Sequence, residues 1–190
     1  NHFMNQLIIT GPPGSGKGTL AKQIAEKYKL KHIAAGDLLR SKTLIKDEMG
    51  KLISSLINNG NFVPDDLIKQ IIEEEVKQYP NFILDGFPRT IKQLYMTNKI
   101  IEDFEFKPIV IILQVGMNTA LERIRSRSLK EERADDKSNE ILKVRMIEFI
   151  KKTQPVINHY SNLSTSIVLD ANKSKEEVFD EFISKFQKEE

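Results

Sequence analysis

An α/β fold of the doubly wound type, built on a five-stranded parallel sheet, is predicted by three observations. Short apolar runs recur along the chain, longer amphipathic stretches separate them, and the first run ends in a glycine-rich turn. Buried parallel strands read as continuous apolar runs because both of their faces are covered. Their alternation with helical patterns implies βαβ units and right-handed crossovers. Ligands in such sheets collect outside the carboxyl ends of the strands, and the glycine-rich turn falls at one.

The elements follow in order. Leu7-Ile8-Ile9 is the first strand and stops at a Gly/Pro turn, after which the pattern over 17–28 gives a helix. The weak run 31–34 is a second strand, followed by helical patterns over 36–41, 46–59 and 65–78. Pro64 ahead of Asp65-Asp66 marks the start of the last of these. Phe82-Ile83-Leu84, ending at Asp85-Gly86, is the third strand and precedes a helix over 91–104. The run 109–113 is the most strand-like segment; helices over 119–128 and 140–160, a strand over 166–169 and a helix over 175–186 behind Ser174 complete the chain.

At 190 residues the sequence favours one domain. Met4 reads as a natural start, so the domain is drawn over 4–190 with residues 1–3 outside it. A net charge of +2 argues against a nucleic-acid binder or a membrane-surface protein. The absence of Cys excludes disulfides, thiolate zinc sites, iron–sulfur clusters and thiol nucleophiles. No apolar run approaches the roughly 18 residues of a membrane span, and no signal peptide is visible, so a cytoplasmic location is expected. The balanced charge conceals one asymmetry: 22 of the 29 basic residues are Lys and only 7 are Arg.

The string Gly11-Pro12-Pro13-Gly14-Ser15-Gly16-Lys17-Gly18-Thr19 is a G-x-x-x-x-G-K loop between a strand and a helix, the context that a phosphate-binding loop requires. Glycines let successive N–H groups curl around phosphate oxygens, and the helix N-terminus adds positive potential. Lys17 would reach the β/γ phosphates, and Thr19 would be the hydroxyl nearest Mg²⁺, one place later than the strict pattern. A GTPase would need an Asn-Lys-x-Asp base reader, and Asn98-Lys99-Ile100-Ile101 lacks the acid. The Asp-x-x-Gly match at 47–50 follows no apolar strand.

Three later strings join the loop: Ala35-Gly36-Asp37-Leu38-Leu39-Arg40, Leu84-Asp85-Gly86-Phe87-Pro88-Arg89 and Arg133-Ala134-Asp135-Asp136. Together they resemble the nucleoside monophosphate kinases, and within them the adenylate kinases, over nearly the whole chain. The resemblance implies a P-loop NTPase-type core with a helical flap for the monophosphate over 34–63 and a lid over 127–137. It also implies reversible, Mg²⁺-dependent transfer of the ATP γ-phosphoryl group to AMP, giving two ADP, by a monomer with ATP and AMP as partners. The readings kept beside it are a UMP/CMP kinase and, from another class, a P-loop module that binds nucleotide without catalysis.

By the same resemblance Gly14, Ser15, Gly16, Lys17, Gly18, Thr19, Arg123, Arg127 and Lys173 would bind ATP. Ala35, Arg40, Val63, Gly86, Arg89, Gln93, Arg133 and Arg145 would bind AMP, and Lys17, Arg89, Arg133 and Arg145 would act in catalysis. Phosphoryl transfer asks mainly for positioning and charge neutralisation, which Arg forks supply. No base is needed because the acceptor phosphate is already an anion, so His32 and His159 are expected to be structural. Asp85 would emerge beside the loop and hold Mg²⁺ through water, since that ion keeps several of its waters.

The acceptor base is where two clues disagree. Gln93 stands where adenylate kinases read the adenine edge, and an amide offers the required adjacent donor and acceptor. Ala35 stands where many of them have Thr, and an Ala-Gly-Asp string is usual in UMP/CMP kinases. Gln93 carries more weight, because a base hydrogen bond discriminates more than one hydroxyl contact. Only eight residues separate Arg127 from Asp136, so the lid is the short form, without room for a zinc-bearing hairpin. Six of the seven Arg residues fall at positions expected to face phosphate or nucleotide; Arg125 does not.

Overall fold

The computed structural model describes residues 5–59, 63–130, 136–163 and 165–189. Strands β1 (Gln6–Thr10), β2 (Lys31–Ala34), β3 (Phe82–Asp85), β4 (Ile109–Gln114) and β5 (Ser166–Asp170) form one sheet in the order β2-β3-β1-β4-β5. Every pairing is parallel. β1 is central and buried along its length, as its unbroken apolar run requires.

Side chains on successive strand residues point to opposite faces, and two cores result. Leu7, Ile9, Ile83, Ile111 and Leu113 meet α1 (Lys17–Tyr28) and α9 (Lys175–Glu189) on one face. There Phe182 and Phe186 stack on each other, and Tyr28 meets both edge-on. Ile8, Phe82, Leu84, Val110 and Ile112 face the other way. They pack against α4 (Asp65–Gln78), α5 (Ile91–Asp103) and α8 (Gln154–Ser161). α6 (Met117–Lys130) follows β4, and α7 (Asp136–Glu148) leads back towards α8. None of the described helices is long and apolar enough to cross a membrane.

The stretch expected as one helix over 140–160 is α7, a π-helical turn at Phe149–Thr153 and α8. Pro155 sits in the first turn of α8 and has no N–H to donate. Its ring would crowd a continuous helix, and the extra residue of the π turn absorbs the mismatch, with Gln154 N–H donating to the carbonyl of Phe149. That turn also places Thr153, whose Oγ1 donates to the Arg89 carbonyl at 2.8 Å.

The Asp-x-x-Gly string at 47–50 is a helix start rather than a nucleotide switch. Asp47 caps α3 (Glu48–Asn58) by accepting from Gly50 N at 2.7 Å. Gly50 lies against the end of α2 (Ala35–Thr43), where an added Cβ would stand 1.9 Å from the Ile45 carbonyl oxygen and 2.5 Å from that of Lys42. Backbone cannot retreat as a flexible side chain can. Gly50→Ala gains about 1 kcal/mol of helix propensity but is expected to lose more by overpacking, for a net destabilisation of about 1–3 kcal/mol. A urea denaturation midpoint that stays put or rises would show that α2 and α3 separate freely.

Candidate active site

The loop after β1 turns tightly, with Ser15 N–H donating to the Pro12 carbonyl at 3.1 Å. Gly14 has φ +80°, and a Cβ there would lie 2.6 Å from the carbonyl oxygen of Ala120, so only glycine lets the loop press against α6. α1 begins at Lys17 with no side-chain cap and no acid in its first turn. Its leading N–H groups and positive dipole end are therefore open to an anion. Ser15 Oγ is buried without a partner among the described residues, a hydroxyl that a ligand oxygen could satisfy. Gly18 and Thr19 are exposed in the same turn.

Parallel pairing of β1 and β3 aligns Ile9 with Asp85, which brings the end of β3 beside the loop. Lys17 Nζ forms an ion pair with Asp85 Oδ1, and His32 Nε2 reaches Oδ2 at 3.0 Å. A carboxylate only accepts, so His32 is the donor. Asp85 is 5% exposed; both of its oxygens are thus occupied by nitrogen donors. Burial and the nearby charge of Arg89 push the Lys17 ammonium down to about 8. Burial also lowers the His32 pKa, reinforced by the Lys17 charge. His32, expected to be structural, hydrogen-bonds the carboxylate that holds Lys17.

Beyond Asp85 the chain turns at Gly86, whose carbonyl accepts from Arg89 Nε at 2.8 Å. Arg145 on α7 is close enough that its charge, after desolvation by surrounding protein, lowers the Arg89 pKa; the guanidinium remains a cation. Gln93 sits in the first turn of α5, capped by Thr90 Oγ1. Its Oε1 accepts from Arg89 N–H at 2.8 Å and its Nε2 donates to Asp65 Oδ1 at 2.9 Å. Val63, half-buried, precedes Asp65 by two residues. Ala35 is buried in the core between the sheet and α4, where its methyl packs on apolar neighbours. Arg40 is exposed and paired with Asp37 on its own helix. Arg133 lies outside the described residues, as do the other residues of 131–135 between α6 and α7.

On the other side of the loop lies a cleft of about 760 Å³. Gly14, Ser15, Gly16 and Thr19 form one wall, and Arg123, Arg127 and Lys173 contribute to the others. Arg123 donates to the carbonyls of Gly14 at 3.3 Å and Lys173 at 3.1 Å, bridging the cleft. Arg125 is exposed and takes no part in the lining. Lys17 and Gly18 also stay out of that wall; Lys17 turns instead to Asp85, within electrostatic reach of Arg89.

A family model described as adenylate kinase matches residues 9–165. The adenylate kinase of Fervidobacterium nodosum is 34% identical, with 90% of this chain and 93% of that protein covered. That of Synechococcus sp. is also 34% identical, covering 92% and 94%. The adenylate kinase of Encephalitozoon cuniculi is 29% identical over 93% and 95%. The chain belongs to the adenylate kinase family.

Within that family's chemistry a magnesium ion would be met by a sparse donor set. Among the described residues no cluster of three metal-ligating side chains exists, and the groups at hand are the Asp85 carboxylate and the exposed Thr19 hydroxyl. That fits an ion held by one or two protein oxygens together with substrate phosphates and its own waters. The sequence reading missed His32 and Asp65 as neighbours of the site, and also Gln23, Thr119 and Ser174 in the cleft. Only strand register and helix packing bring them there. Removing the His32 imidazole would leave a buried carboxylate oxygen unpaired. His32→Ala is expected to cost about 1–3 kcal/mol of stability, read by urea denaturation, with His32→Gln recovering part of it. An unchanged midpoint would mean that the bond carries no weight.

Proposed function

We propose that this chain transfers the γ-phosphoryl group of ATP reversibly to AMP, giving two ADP. The observation that supports the reading is Lys17 itself: its chain neighbours Gly16 and Thr19 line the cleft, and its ammonium feels the charge of Arg89, which in turn feels that of Arg145. Two phosphate-binding sides that share one lysine suit the passage of a phosphoryl group between two nucleotides. A one-nucleotide module has no use for the second side.

On this reading ATP places its phosphates against the N–H groups of residues 14–19, with its base in the cleft beside Arg123 and Lys173, and Arg127 near its phosphates. AMP lies on the other side, its base at Val63, Gly86 and Gln93 and its phosphate at Arg40 and Arg89. Arg133 and Arg145 approach both phosphates. An oxygen of the AMP phosphate forms the new bond to the γ-phosphorus while the bond from that phosphorus to the departing ADP breaks. No proton need move, because the acceptor oxygen is already anionic. Lys17 leaves Asp85 for the transferring phosphoryl group, where its charge offsets what develops. Asp85, through water, and the Thr19 hydroxyl would hold the magnesium that comes with ATP, which would supply further charge neutralisation. Closure of a flap over 34–63 and a lid over 127–137 would exclude water, which would otherwise take the phosphoryl group. The reading extends to a monomer working in the cytoplasm, a setting that the cysteine-free composition suits.

With MgATP as donor and AMP, CMP, UMP, dCMP and GMP offered in turn, AMP is expected to turn over fastest. Faster CMP turnover would make the chain a UMP/CMP kinase, and the absence of acceptor-dependent ADP would remove the kinase reading. The depressed Lys17 pKa fixes a second outcome. Below about 8 the ammonium is charged, and above it the free enzyme loses that charge. kcat/KM for MgATP, which reports the free enzyme, should therefore fall as pH rises through about 8. The limb in kcat should lie at higher pH, because bound phosphates favour the charged lysine. Coincident limbs in the two profiles would contradict the role given to Lys17.

A further inference from the structure

A glutamine can read a base in either of two senses, because its carbonyl and amino ends are nearly the same shape. At Gln93 the structure removes that ambiguity. Its backbone is fixed by Thr90 Oγ1, which accepts from Gln93 N–H at 3.1 Å, and by Thr97 Oγ1, which donates to the Gln93 carbonyl at 2.9 Å. Its side-chain oxygen accepts from the Arg89 N–H at 2.8 Å, and its side-chain nitrogen donates to Asp65 Oδ1 at 2.9 Å. Both partners have a single polarity. A backbone N–H only donates, and an ionised carboxylate only accepts. Turning the amide over would set N–H against N–H and carbonyl against carboxylate, losing both bonds and adding two repulsive contacts. Asp65 is the first residue of α4, where the helix dipole favours its negative charge.

We propose that Asp65 is a positioning residue for base specificity: it locks the Gln93 amide so that the acceptor site takes bases bearing an amino group beside an unprotonated ring nitrogen and rejects their 6-oxo counterparts. This rests on the reading that Gln93 faces the acceptor base. After its two protein bonds, the amide keeps one lone pair on Oε1 and one hydrogen on Nε2. Those complement the amino group and ring nitrogen of a 6-aminopurine. Hypoxanthine and guanine present a carbonyl beside a ring N–H, the opposite order, which the locked amide cannot match. A 4-aminopyrimidine shares the accepted pattern and a uracil does not, so the lock separates amino from oxo bases and leaves purine against pyrimidine to the shape of the site.

AMP and IMP differ in this pair of groups and carry the same phosphate, so the ratio of their kcat/KM values as acceptors isolates the effect. Asp65→Asn keeps the shape but can turn either end to Gln93. With the Arg89 N–H still holding Oε1, it is expected to lower kcat/KM for AMP and to raise the IMP-to-AMP ratio several-fold. Asp65→Glu, which still only accepts, should retain most of the discrimination. Asp65→Ser, whose hydroxyl both donates and accepts, provides a second relaxed variant should the first fold poorly, with thermal melting to check folding. Equal losses for AMP and IMP in Asp65→Asn and Asp65→Ser would reduce Asp65 to a tether between α4 and α5 and overturn the proposal. Gln93→Ala separates the two layers of inference. If it leaves the ratio unchanged, the reading of Gln93 itself fails. If it collapses the ratio while the Asp65 variants do not, only the lock fails.

Discussion

The Lys17–Asp85 ion pair ties the glycine-rich loop to the end of β3, and the other groups of the site take their places from the elements it joins. Lys17 opens α1, so its position is fixed by the loop that glycine allows to press against α6. Asp85 is fixed by the β1–β3 register, and His32 holds its second oxygen from β2. Three neighbouring elements therefore converge on one buried carboxylate. Gly86, Arg89 and Gln93 follow it directly in the chain and inherit its position.

This arrangement concentrates positive charge beyond what the protein neutralises. Lys17 stands near Arg89, and Arg89 near Arg145, while Asp85 is the only acid paired with Lys17 among the described residues. Burial already lowers Lys17 to about 8; the ammonium is held in a place that penalises its charge. A polyanion entering that space relieves the penalty on each cation in turn, so the electrostatics that tax the empty site favour phosphate. The near-neutral total charge hides this, because it sums the Lys17, Arg89 and Arg145 charges with those of acids spread along the chain.

What could be read from the sequence was whatever is local in the chain. Helices α1 and α4 and strand β2 begin and end where their apolar periodicity and start signals place them, and the glycine loop is a contiguous string. The break at Phe149–Thr153 was carried by Pro155, whose ring and missing N–H do not suit a continuous helix. What could not be read were contacts made by pairing and packing. His32 reaches Asp85 across β2 and β3, and Asp65 reaches Gln93 across α4 and α5; no spacing in the sequence links either pair. The Asp-x-x-Gly string shows the converse, since a local match to a nucleotide motif is accounted for by one helix cap and one close backbone contact.

The fate of the γ-phosphoryl group is followed directly by phosphorus NMR. With MgATP and AMP present together, it should appear as the β-phosphorus of newly formed ADP, with two ADP formed for each ATP consumed and little inorganic phosphate. Release of that group as inorganic phosphate, with AMP left unchanged, would contradict a site in which Lys17 hands a phosphoryl group from the cleft to the arginine cluster.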